Sequence, residues 1–293
     1  MATVNLLDFV SANDNRTMAE RFEAYRAAKR DAEIERRAKF ADFGIPRGHT
    51  CPASLMFHRD SRFSPQTELP LSNKEAAALA RTPDYKGYPD AVSISLPSGL
   101  APLDVTLEDA IRNRRSRKQF SGSPMSLQEL SRLLELGAGV TQYGEIARRA
   151  APSAGALFPV EIYPLVFAVD GVDKGLYHYA ALTNTLEFLK PLVSSREIWP
   201  VLDYSFEGTT PAVAFALTAR LPRVQAKYGE RGYRFALMEA GHIAQNMLLT
   251  ATALSLNSVP AGGFFDDGLN FLIGADGQEE VAVYLVLTGK PEL

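Results

Sequence analysis

Cysteine is almost absent from this sequence, because Cys51 is the single cysteine among 293 residues. One cysteine excludes an intrachain disulfide and any metal site built from several cysteines. The histidines are too scattered to form a metal site, so no metal is predicted. A chain without disulfides fits a reducing compartment, and a packed thiol is a simpler role for Cys51 than a redox nucleophile.

A strong excess of charge and a long hydrophobic run are also missing. The formal net charge is -3, which gives no basic footprint for nucleic acid. The longest apolar runs, near 160–169 and 281–287, are too short to span a bilayer. The N-terminus has neither the basic region nor the apolar core of a signal peptide. We therefore expect a cytoplasmic protein that binds neither nucleic acid nor membrane.

The composition of the chain changes near residue 104. Residues 16–43 are rich in Ala, Glu, Arg and Lys, which predicts a helix. Between 44 and 105, eight prolines break any long element. We predict an extension over 1–103 that covers the active site or contacts the substrate or a partner. The folded domain is predicted over 104–293.

Two helix starts are marked at the beginning of the predicted domain. Thr106 and Asp109 predict a helix that runs to about Lys118. Ser126 and Glu129 have the spacing of a capping box, which predicts the start of a second helix.

Short strands and one long helix make up the rest of the domain. The predicted strands are 160–169, the segments GLYHY and LEFL, 211–219 and 281–288. Pro164 predicts an edge or bulge position for the first strand. The helix over 231–256 is apolar on most faces, so it is expected in the middle of the domain or at a subunit interface. Within it, His242 is predicted to be a hydrogen-bonded core residue rather than a catalytic acid. This order of elements indicates an α+β fold.

Five positive charges lie within seven residues at the predicted end of the first helix. They are Arg112, Arg114, Arg115, Arg117 and Lys118. Such a cluster is often a solvated basic face at a helix C-terminus. It also has the composition of a phosphate site, because arginine offers a planar fork of donors and lysine a point charge. The cluster alone leaves both interpretations open.

Two loops of small residues are further candidates. Residues 152–159 (PSAGALFP) precede a predicted strand, and residues 259–265 (VPAGGFF) follow the long helix. Small residues allow a flat ring or a phosphate to approach the backbone closely. By itself the first loop is better interpreted as an ordinary loop that enters a strand, and the second can be an ordinary glycine-rich turn. No G-x-G-x-x-G motif follows a predicted strand, so a Rossmann nicotinamide site is not supported.

Together and in this order, these segments resemble the nitroreductase-like flavoproteins. The resemblance is closer to the branch that oxidises thiazolines and oxazolines to thiazoles and oxazoles in ribosomally made peptides. The matching pieces are RRSRKQF, PSAGALFPVEIY, GLYHY, KYGERGYRFALMEAGHIAQN, VPAGGFFDD and YLVLTGK. The resemblance implies a nitroreductase-like α+β fold with a mainly antiparallel central sheet flanked by helices. It also implies FMN bound at the two-fold interface of a homodimer.

The resemblance further implies which residues contact FMN. These are Arg114, Ser116, Lys118 and Lys290 for the phosphate and the polar ring edge, Pro152, Ser153, Ala154 and Gly155 against the flavin, and Ala261, Gly262 and Gly263 near N5. Simple nitroreductases often have a carboxylate in the last of these segments. Its absence here fits the azoline-oxidising branch.

A Lys227 and Tyr228 pair precedes the long helix. By itself such a pair is usually part of a surface turn. In the azoline-oxidising branch, however, an adjacent lysine and tyrosine are the catalytic signature. Aromatising an azoline removes a proton from one carbon and a hydride from its neighbour, so the protein must supply a base while FMN accepts the hydride. The sequence leaves open which of the two residues takes the proton.

The resemblance therefore implies an FMN-dependent dehydrogenase of azoline-containing peptides. Its partner would be a separate cyclodehydratase that makes the azoline, and O2 would be the terminal acceptor. Three alternatives remain open at this point. They are an NAD(P)H-dependent nitro- or quinone reductase, a flavin oxidase of a small natural-product substrate, and a non-catalytic scaffold subunit of a biosynthetic complex.

Overall fold

The chain divides into two compact units, Met1–Thr67 and Glu68–Leu293. The computed structural model describes residues 52–63, 85–203, 206 and 208–292, with single positions and short runs between 20 and 79. In the first unit, helix α1 spans Pro52–Asp60. Cys51 lies outside the described residues, as does the helix predicted over 16–43 except for the helical positions Glu20, Ala24 and Ala27.

The second unit is built on a seven-stranded sheet in which every neighbouring pair is antiparallel. Its strands are β1 (Ser93–Ser95), β4 (Val160–Val166), β5 (Gly175–Ala180), β6 (Thr185–Pro191), β7 (Val213–Arg220), β8 (Asn257–Ala261) and β9 (Glu280–Gly289). Across the sheet the order is β1-β6-β5-β4-β7-β9-β8. The strands β2 (Val140–Gln142) and β3 (Arg148–Arg149) form a separate two-stranded ribbon.

Helices flank this sheet, which confirms the predicted α+β class. They are α2 (Leu107–Asn113), α3 (Leu127–Ala138), α4 (Leu221–Tyr228), α5 (Arg231–Ala253) and α6 (Asp266–Ile273). The long helix α5 contacts α3 and also the strands β7, β8 and β9. The strand predicted from the GLYHY segment and those over 211–219 and 281–288 are each confirmed within a few residues.

The core lies between α3, α5 and one face of the sheet. Leu134 of α3, Ile243 and Met247 of α5 and Phe215 of β7 are fully buried together. Gly137 allows the two helices to approach, because an added Cβ there would lie 2.9 Å from Cγ of Met247. Burial of apolar area of this kind is the main favourable term in folding, at roughly 25 cal/mol per Å².

The opposite face of the sheet carries buried polar side chains. The ring of His178 lies between two carboxylates, with Nδ1 2.8 Å from Oε2 of Glu187 and Nε2 3.2 Å from Oε2 of Glu161. Nearby, Glu280 accepts hydrogen bonds from Lys86, Thr218 and Tyr163. Burial opposes ionisation of Glu280, but these three donors outweigh it and lower the pKa of its carboxyl.

The first helix of the domain is shorter than the sequence predicts. It begins as expected, with the side chain of Thr106 accepting from the backbone N–H of Asp109. It ends at Asn113 rather than near Lys118. The reason is that the following residues are extended beside β8, where the N–H of Arg117 donates to the carbonyl of Ser258 at 2.9 Å. This tertiary pairing overrides the local helical composition.

The expectation for Pro164 is also wrong. Its strand, β4, is the central strand of the sheet rather than an edge strand. Proline is tolerated because β5 pairs with β4 at Leu165 and Val166, beyond Pro164. On its other side Pro164 pairs in register with Phe215. Pro164 therefore lies outside the ladder with β5, and its missing N–H removes no hydrogen bond from that ladder.

His242 is exposed on α5, so its prediction as a core histidine is wrong. The helix has an exposed side that includes Gly241, which has no atom within 4 Å of an added Cβ. Within the described residues, no helix has both the length and the apolar character to cross a bilayer.

The capping box of α3 offers a direct test of the fold. Ser126 accepts from the N–H of Glu129 at 3.2 Å, and Glu129 accepts from the N–H of Ser126 at 2.8 Å. We expect Ser126→Ala to lower the free energy of unfolding by about 1 kcal/mol, because the first turn loses its side-chain acceptor. Ser126→Thr keeps the hydroxyl and is expected to retain most of the stability. Urea denaturation measures both variants, and an equal loss in both would contradict this account.

Candidate active site

The cationic segment after α2 lies beside β8. Ser116 forms a bridge with Ser258, and the side chain of Asn257 donates to the carbonyl of Gln119 at 2.7 Å. These contacts bring residues 114–119 next to the strand that ends at Ala261. Two of the three segments predicted to contact a flavin are therefore neighbours, although about 140 residues separate them in the sequence.

The polar side chains of this segment lie at or near the surface. Arg114 and Lys118 are half-buried and Ser116 is exposed. The guanidinium of Arg114 lies 3.4 Å from Oγ of Ser116, and the ammonium of Lys118 lies 4.0 Å from the ring centre of Phe206. An arginine fork, a hydroxyl and an ammonium on one extended stretch form a donor set suited to a phosphate.

Lys290 is placed at the same end of the domain but its ammonium already has a partner. The backbone carbonyl of Lys290 accepts from the N–H of Ser121 at 3.0 Å. Its Nζ lies 2.5 Å from Oε1 of Glu129. Burial opposes ionisation of Glu129, but Lys290 and Ser126 outweigh it and lower the pKa of that carboxyl. A role for Lys290 at a phosphate remains a prediction, and it would require the ammonium to be shared with Glu129.

Gly263 has a steric reason to be glycine. An added Cβ would lie 1.9 Å from Oδ2 of Asp203, and the carbonyl of Gly263 accepts from the N–H of Asp203 at 2.9 Å. Ala261 is buried at the end of β8, and Gly262 has more space, with Tyr284 3.8 Å from an added Cβ. No sequence pattern identified Asp203 as a site residue. It brings a carboxylate to this segment from the end of a distant short helical turn, Ser195–Val201.

The loop before β4 has an unusual backbone. Gly155 has φ +63°, and the non-glycine residues Ala156 and Phe158 also have positive φ, at 54° and 47°. At the two non-glycine residues, a positive φ costs on the order of 1–3 kcal/mol each and persists only where the surroundings impose it. One support is local, because the N–H of Phe158 donates to Oγ of Ser153 at 2.8 Å. Strain of this kind is concentrated at functional sites.

Lys227 and Tyr228, at the end of α4, contact this loop. An added Cβ on Gly155 would lie 2.6 Å from Nζ of Lys227 and 2.7 Å from the hydroxyl oxygen of Tyr228. Both polar groups therefore converge on one glycine Cα. The ring of Tyr228 is held edge-on to Phe235 of α5, with 4.9 Å between ring centres. The structure thus brings the predicted catalytic pair onto the predicted flavin-contacting loop.

A buried carboxyl lies beneath the same loop. Glu239 of α5 is 3% exposed, hydrogen bonds to Ser153 and accepts from the N–H of Val160 at 3.4 Å. Burial raises the pKa of Glu239 to about 7, although the bonds from Ser153 and Val160 and the charge of Arg149 act in the opposite direction. Nothing in the sequence distinguished Glu239 from other residues of the long helix.

The predicted site residues thus fall into two groups. Contacts join Ser116, Ser258 and the neighbouring cationic segment in one group. Contacts join Gly155, Lys227 and Tyr228 in the other. The first group brings cationic and hydroxyl donors together, and the second brings a lysine ammonium and a tyrosine hydroxyl to the Cα of Gly155.

Comparisons with known proteins identify the family of the chain. The Nitroreductase family model matches residues 111–290. The chain belongs to the nitroreductase family. The protein MJ1384 of Methanocaldococcus jannaschii, which is named as a nitroreductase, is 36% identical over 185 residues, covering 63% of this chain and 90% of the relative. The predicted family is therefore confirmed. Members of this family are oxidoreductases that typically bind a flavin, so the chain is an oxidoreductase.

Two further relatives concern peptide processing. The microcin B17-processing protein McbC of Escherichia coli is 28% identical over 168 residues, covering 55% of this chain and 61% of McbC. The chain therefore spans less than two thirds of McbC. A chain of the E. coli microcin synthetase McbBCD complex with truncated pro-MccB17 bound superposes with a TM-score of 0.55 at 21% identity, covering 83% of this chain and 95% of that one. This last likeness shows the fold alone.

Substitution of Gly155 tests the contact with the lysine and tyrosine. Gly155→Ala would both impose a positive φ on alanine and displace Lys227 and Tyr228, so we expect a loss of thermal stability. Gly171→Ala is a matched control, since Gly171 has φ +74° with no atom within 4 Å of an added Cβ. The control should lose about 1 kcal/mol of unfolding free energy and Gly155→Ala clearly more. Equal losses would show that the space at Gly155 is not restricted.

Glu239 should make stability depend on pH. Below pH about 4.5 its carboxyl is protonated in both the folded and the unfolded chain. Between pH 4.5 and about 7 the unfolded chain ionises first, so stability falls as pH rises, by about 3 kcal/mol in total.

Glu239→Gln lacks this ionisation. We expect urea denaturation at pH 5 and pH 8 to show that wild type loses stability relative to Glu239→Gln as pH rises. Glu108→Gln, at an exposed position on α2, is the control and should follow wild type. Parallel pH profiles for wild type and Glu239→Gln would contradict the assignment.

Proposed function

We propose that this protein is an FMN-dependent dehydrogenase that oxidises thiazoline or oxazoline rings of a ribosomally made peptide to thiazoles or oxazoles. The observation that carries the proposal is the convergence of Lys227 and Tyr228 on Gly155. A lysine ammonium and a tyrosine hydroxyl thereby lie against the backbone of the loop predicted to contact the flavin. The similarity to a microcin-processing protein supports a peptide as the substrate.

The residues of this chain fit a flavin mononucleotide. Arg114, Ser116 and Lys118 would hold the phosphate and the polar edge of the ring. Gly155 and Gly263 lie where an added Cβ would overlap Lys227, Tyr228 or Asp203, so polar side chains lie directly against the backbone of two segments predicted to contact the flavin. When bound, FMN supplies a hydride acceptor, and the protein supplies binding, orientation and the base.

The protein's part in the reaction is to remove the ring proton. The azoline would lie near Lys227 and Tyr228, one of which takes the proton while the other polarises or stabilises it. A base positioned in this way contributes roughly 10²–10⁴ to the rate. The ring loses two hydrogens in total, one as a proton and one as a hydride, and O2 is the proposed final acceptor.

The two groups of site residues support a homodimer as the working form. In the proposed assembly, the residues that bind the phosphate come from one chain. Gly155 and its neighbours come from a second chain, and together they complete one site. The exposed face of α5 is suited to such an interface, because Leu237 and Met238 are 40% and 50% exposed and Gly241 leaves space for a close approach.

A cyclodehydratase that forms the azoline is the proposed partner enzyme, and residues 1–103 are proposed to contact the peptide or that partner.

A nitro- or quinone reductase driven by NAD(P)H is the second candidate. The name of MJ1384 favours it. The two candidates differ in how the flavin is reduced. Rapid bleaching of the flavin absorbance by NADPH without peptide would favour the reductase, whereas bleaching by an azoline peptide under argon would favour the dehydrogenase.

Substitution of the proposed base tests the dehydrogenase directly. With an azoline peptide, FMN and O2, wild type is expected to lower the peptide mass by about 2 Da per ring, as the loss of two hydrogens requires. Lys227→Ala and Tyr228→Phe should slow this step by roughly 10²–10⁴. Mass spectrometry follows the reaction, with flavin absorbance confirming that each variant is loaded.

Lys174→Ala is the matched control, because Lys174 is exposed in the turn before β5. It should retain wild-type activity. If loaded Lys227→Ala and Tyr228→Phe both oxidised the peptide at the wild-type rate, the proposed base would be wrong.

A further inference from the structure

Two consecutive arginines of β3 differ in how far solvent reaches them. Arg149 is partly buried, with its guanidinium carbon 4.8 Å from the ring centre of Phe158 and 5.3 Å from that of Tyr85. Its Nε is fully buried. Arg148, by contrast, is exposed. Of the two arginines, Arg148 is therefore the one whose side chain a ligand can contact.

The backbone of Arg148 is fixed, whereas its guanidinium is unpaired. Arg148 pairs in register with Gln142 of β2, and its carbonyl accepts from the hydroxyl of Thr141 at 3.2 Å. Within the part of the chain that the structure describes, the guanidinium has neither a hydrogen bond nor an ion pair. Since an arginine side chain stays charged in proteins, the ribbon presents a cation without a counter-charge.

Arg148 lines a cavity next to the proposed site. The cavity has a volume of about 480 Å³, which is within the range of small-molecule sites. Its walls include Pro152 and Ser153, which belong to the loop that carries Gly155. An occupant of this cavity would therefore lie beside the loop that the proposed base contacts.

The charges around the cavity favour an anionic occupant. Arg149 adds a second guanidinium to the walls, and no aspartate or glutamate is among the described residues that line them. Two carboxyls are on neighbouring elements. Glu145 lines an adjoining cavity, and Glu239 lies beneath the loop, where burial raises its pKa to about 7. Because Glu239 is only partly ionised near neutral pH, it offsets only part of the positive charge, and the remaining field attracts an anion.

The remaining walls favour a carboxylate over a phosphate. The two hydroxyls are engaged, since Thr141 donates to the carbonyl of Arg148 and Ser153 bonds to Phe158 and Glu239. The other wall residues are apolar or aromatic. A guanidinium fork matches the two oxygens of a carboxylate and balances its single charge. A phosphate carries almost twice that charge and would leave more of it uncompensated against apolar walls.

We infer that Arg148 binds a carboxylate of the substrate peptide, carried by a residue that flanks the azoline ring. The inference rests on the proposed function and adds a residue that determines substrate specificity. Because Arg148 is exposed, the ion pair would select among peptides rather than supply most of the affinity.

The test uses the FMN-loaded full-length protein and synthetic thiazole peptides that carry glutamate, glutamine or lysine on either side of the ring. At low ionic strength, we expect wild type to bind a glutamate peptide about two- to fivefold more tightly than its glutamine counterpart, the effect of an exposed ion pair. Arg148→Gln should remove this preference, and Arg148→Glu should instead prefer the lysine peptide. High salt should weaken both preferences. Fluorescence anisotropy measures each Kd.

Arg196→Glu is the matched control. Arg196 is also exposed but does not line the cavity, so this variant should keep the wild-type preference for glutamate. Equal Kd values for the three peptides in wild type would overturn the inference, as would a preference for glutamate that persists in Arg148→Gln. A loss of FMN affinity in Arg148→Gln would also overturn it, because Arg148 would then belong to the cofactor site. A raised KM for NADPH in flavin bleaching would overturn it in favour of a nicotinamide phosphate.

The binding measurement separates this inference from the proposed reaction, because the thiazole peptides have no hydrogens left for the flavin to remove. A preference for glutamate that Arg148→Gln abolishes, without any oxidation of thiazoline peptides by wild type, would support the role of Arg148 and reject the dehydrogenase. Oxidation by wild type without any charge preference in binding would support the dehydrogenase and reject the role of Arg148.

Discussion

The contact between Gly155 and the pair Lys227 and Tyr228 constrains the site more than any other. A side chain at residue 155 would overlap both polar groups, and φ of +63° makes the position unfavourable for other residues in any case. The neighbouring positive φ values at Ala156 and Phe158 follow from holding the loop in this path. The strain is offset by long-range contacts, of which the bond between Ser153 and buried Glu239 is one.

Local pattern predicted the regular parts of the fold well. Short apolar runs joined by turns located the strands, and the spacing of Ser126 and Glu129 located the start of α3, because both signals are properties of nearby residues. The errors arose where a distant segment decided the outcome. The helix after Thr106 ends early because the backbone of the next residues hydrogen bonds to β8. Pro164 is tolerated in the central strand because the ladder with β5 begins only after it.

The site shows the same division. The cationic segment, the two loops and the lysine and tyrosine were recognisable because each is a short motif with a known order along the chain. Asp203, Glu239 and Arg149 were not, because their significance comes from what lies against them. A glutamate in a helix or an arginine in a ribbon is ordinary in sequence. Burial at 3% or an unpaired buried donor becomes visible only when the chain is folded.

Arg149 and Glu239 are opposite charges close together that nevertheless do not form an ion pair within the described residues. The arginine charge acts to lower the pKa of Glu239, yet burial prevails and leaves that pKa near 7. The carboxyl is instead bound by Ser153 and Val160, so it serves to hold the loop. If it had paired with Arg149, the loop would lose this anchor. Glu239 is therefore kept for the support of the loop that carries Gly155.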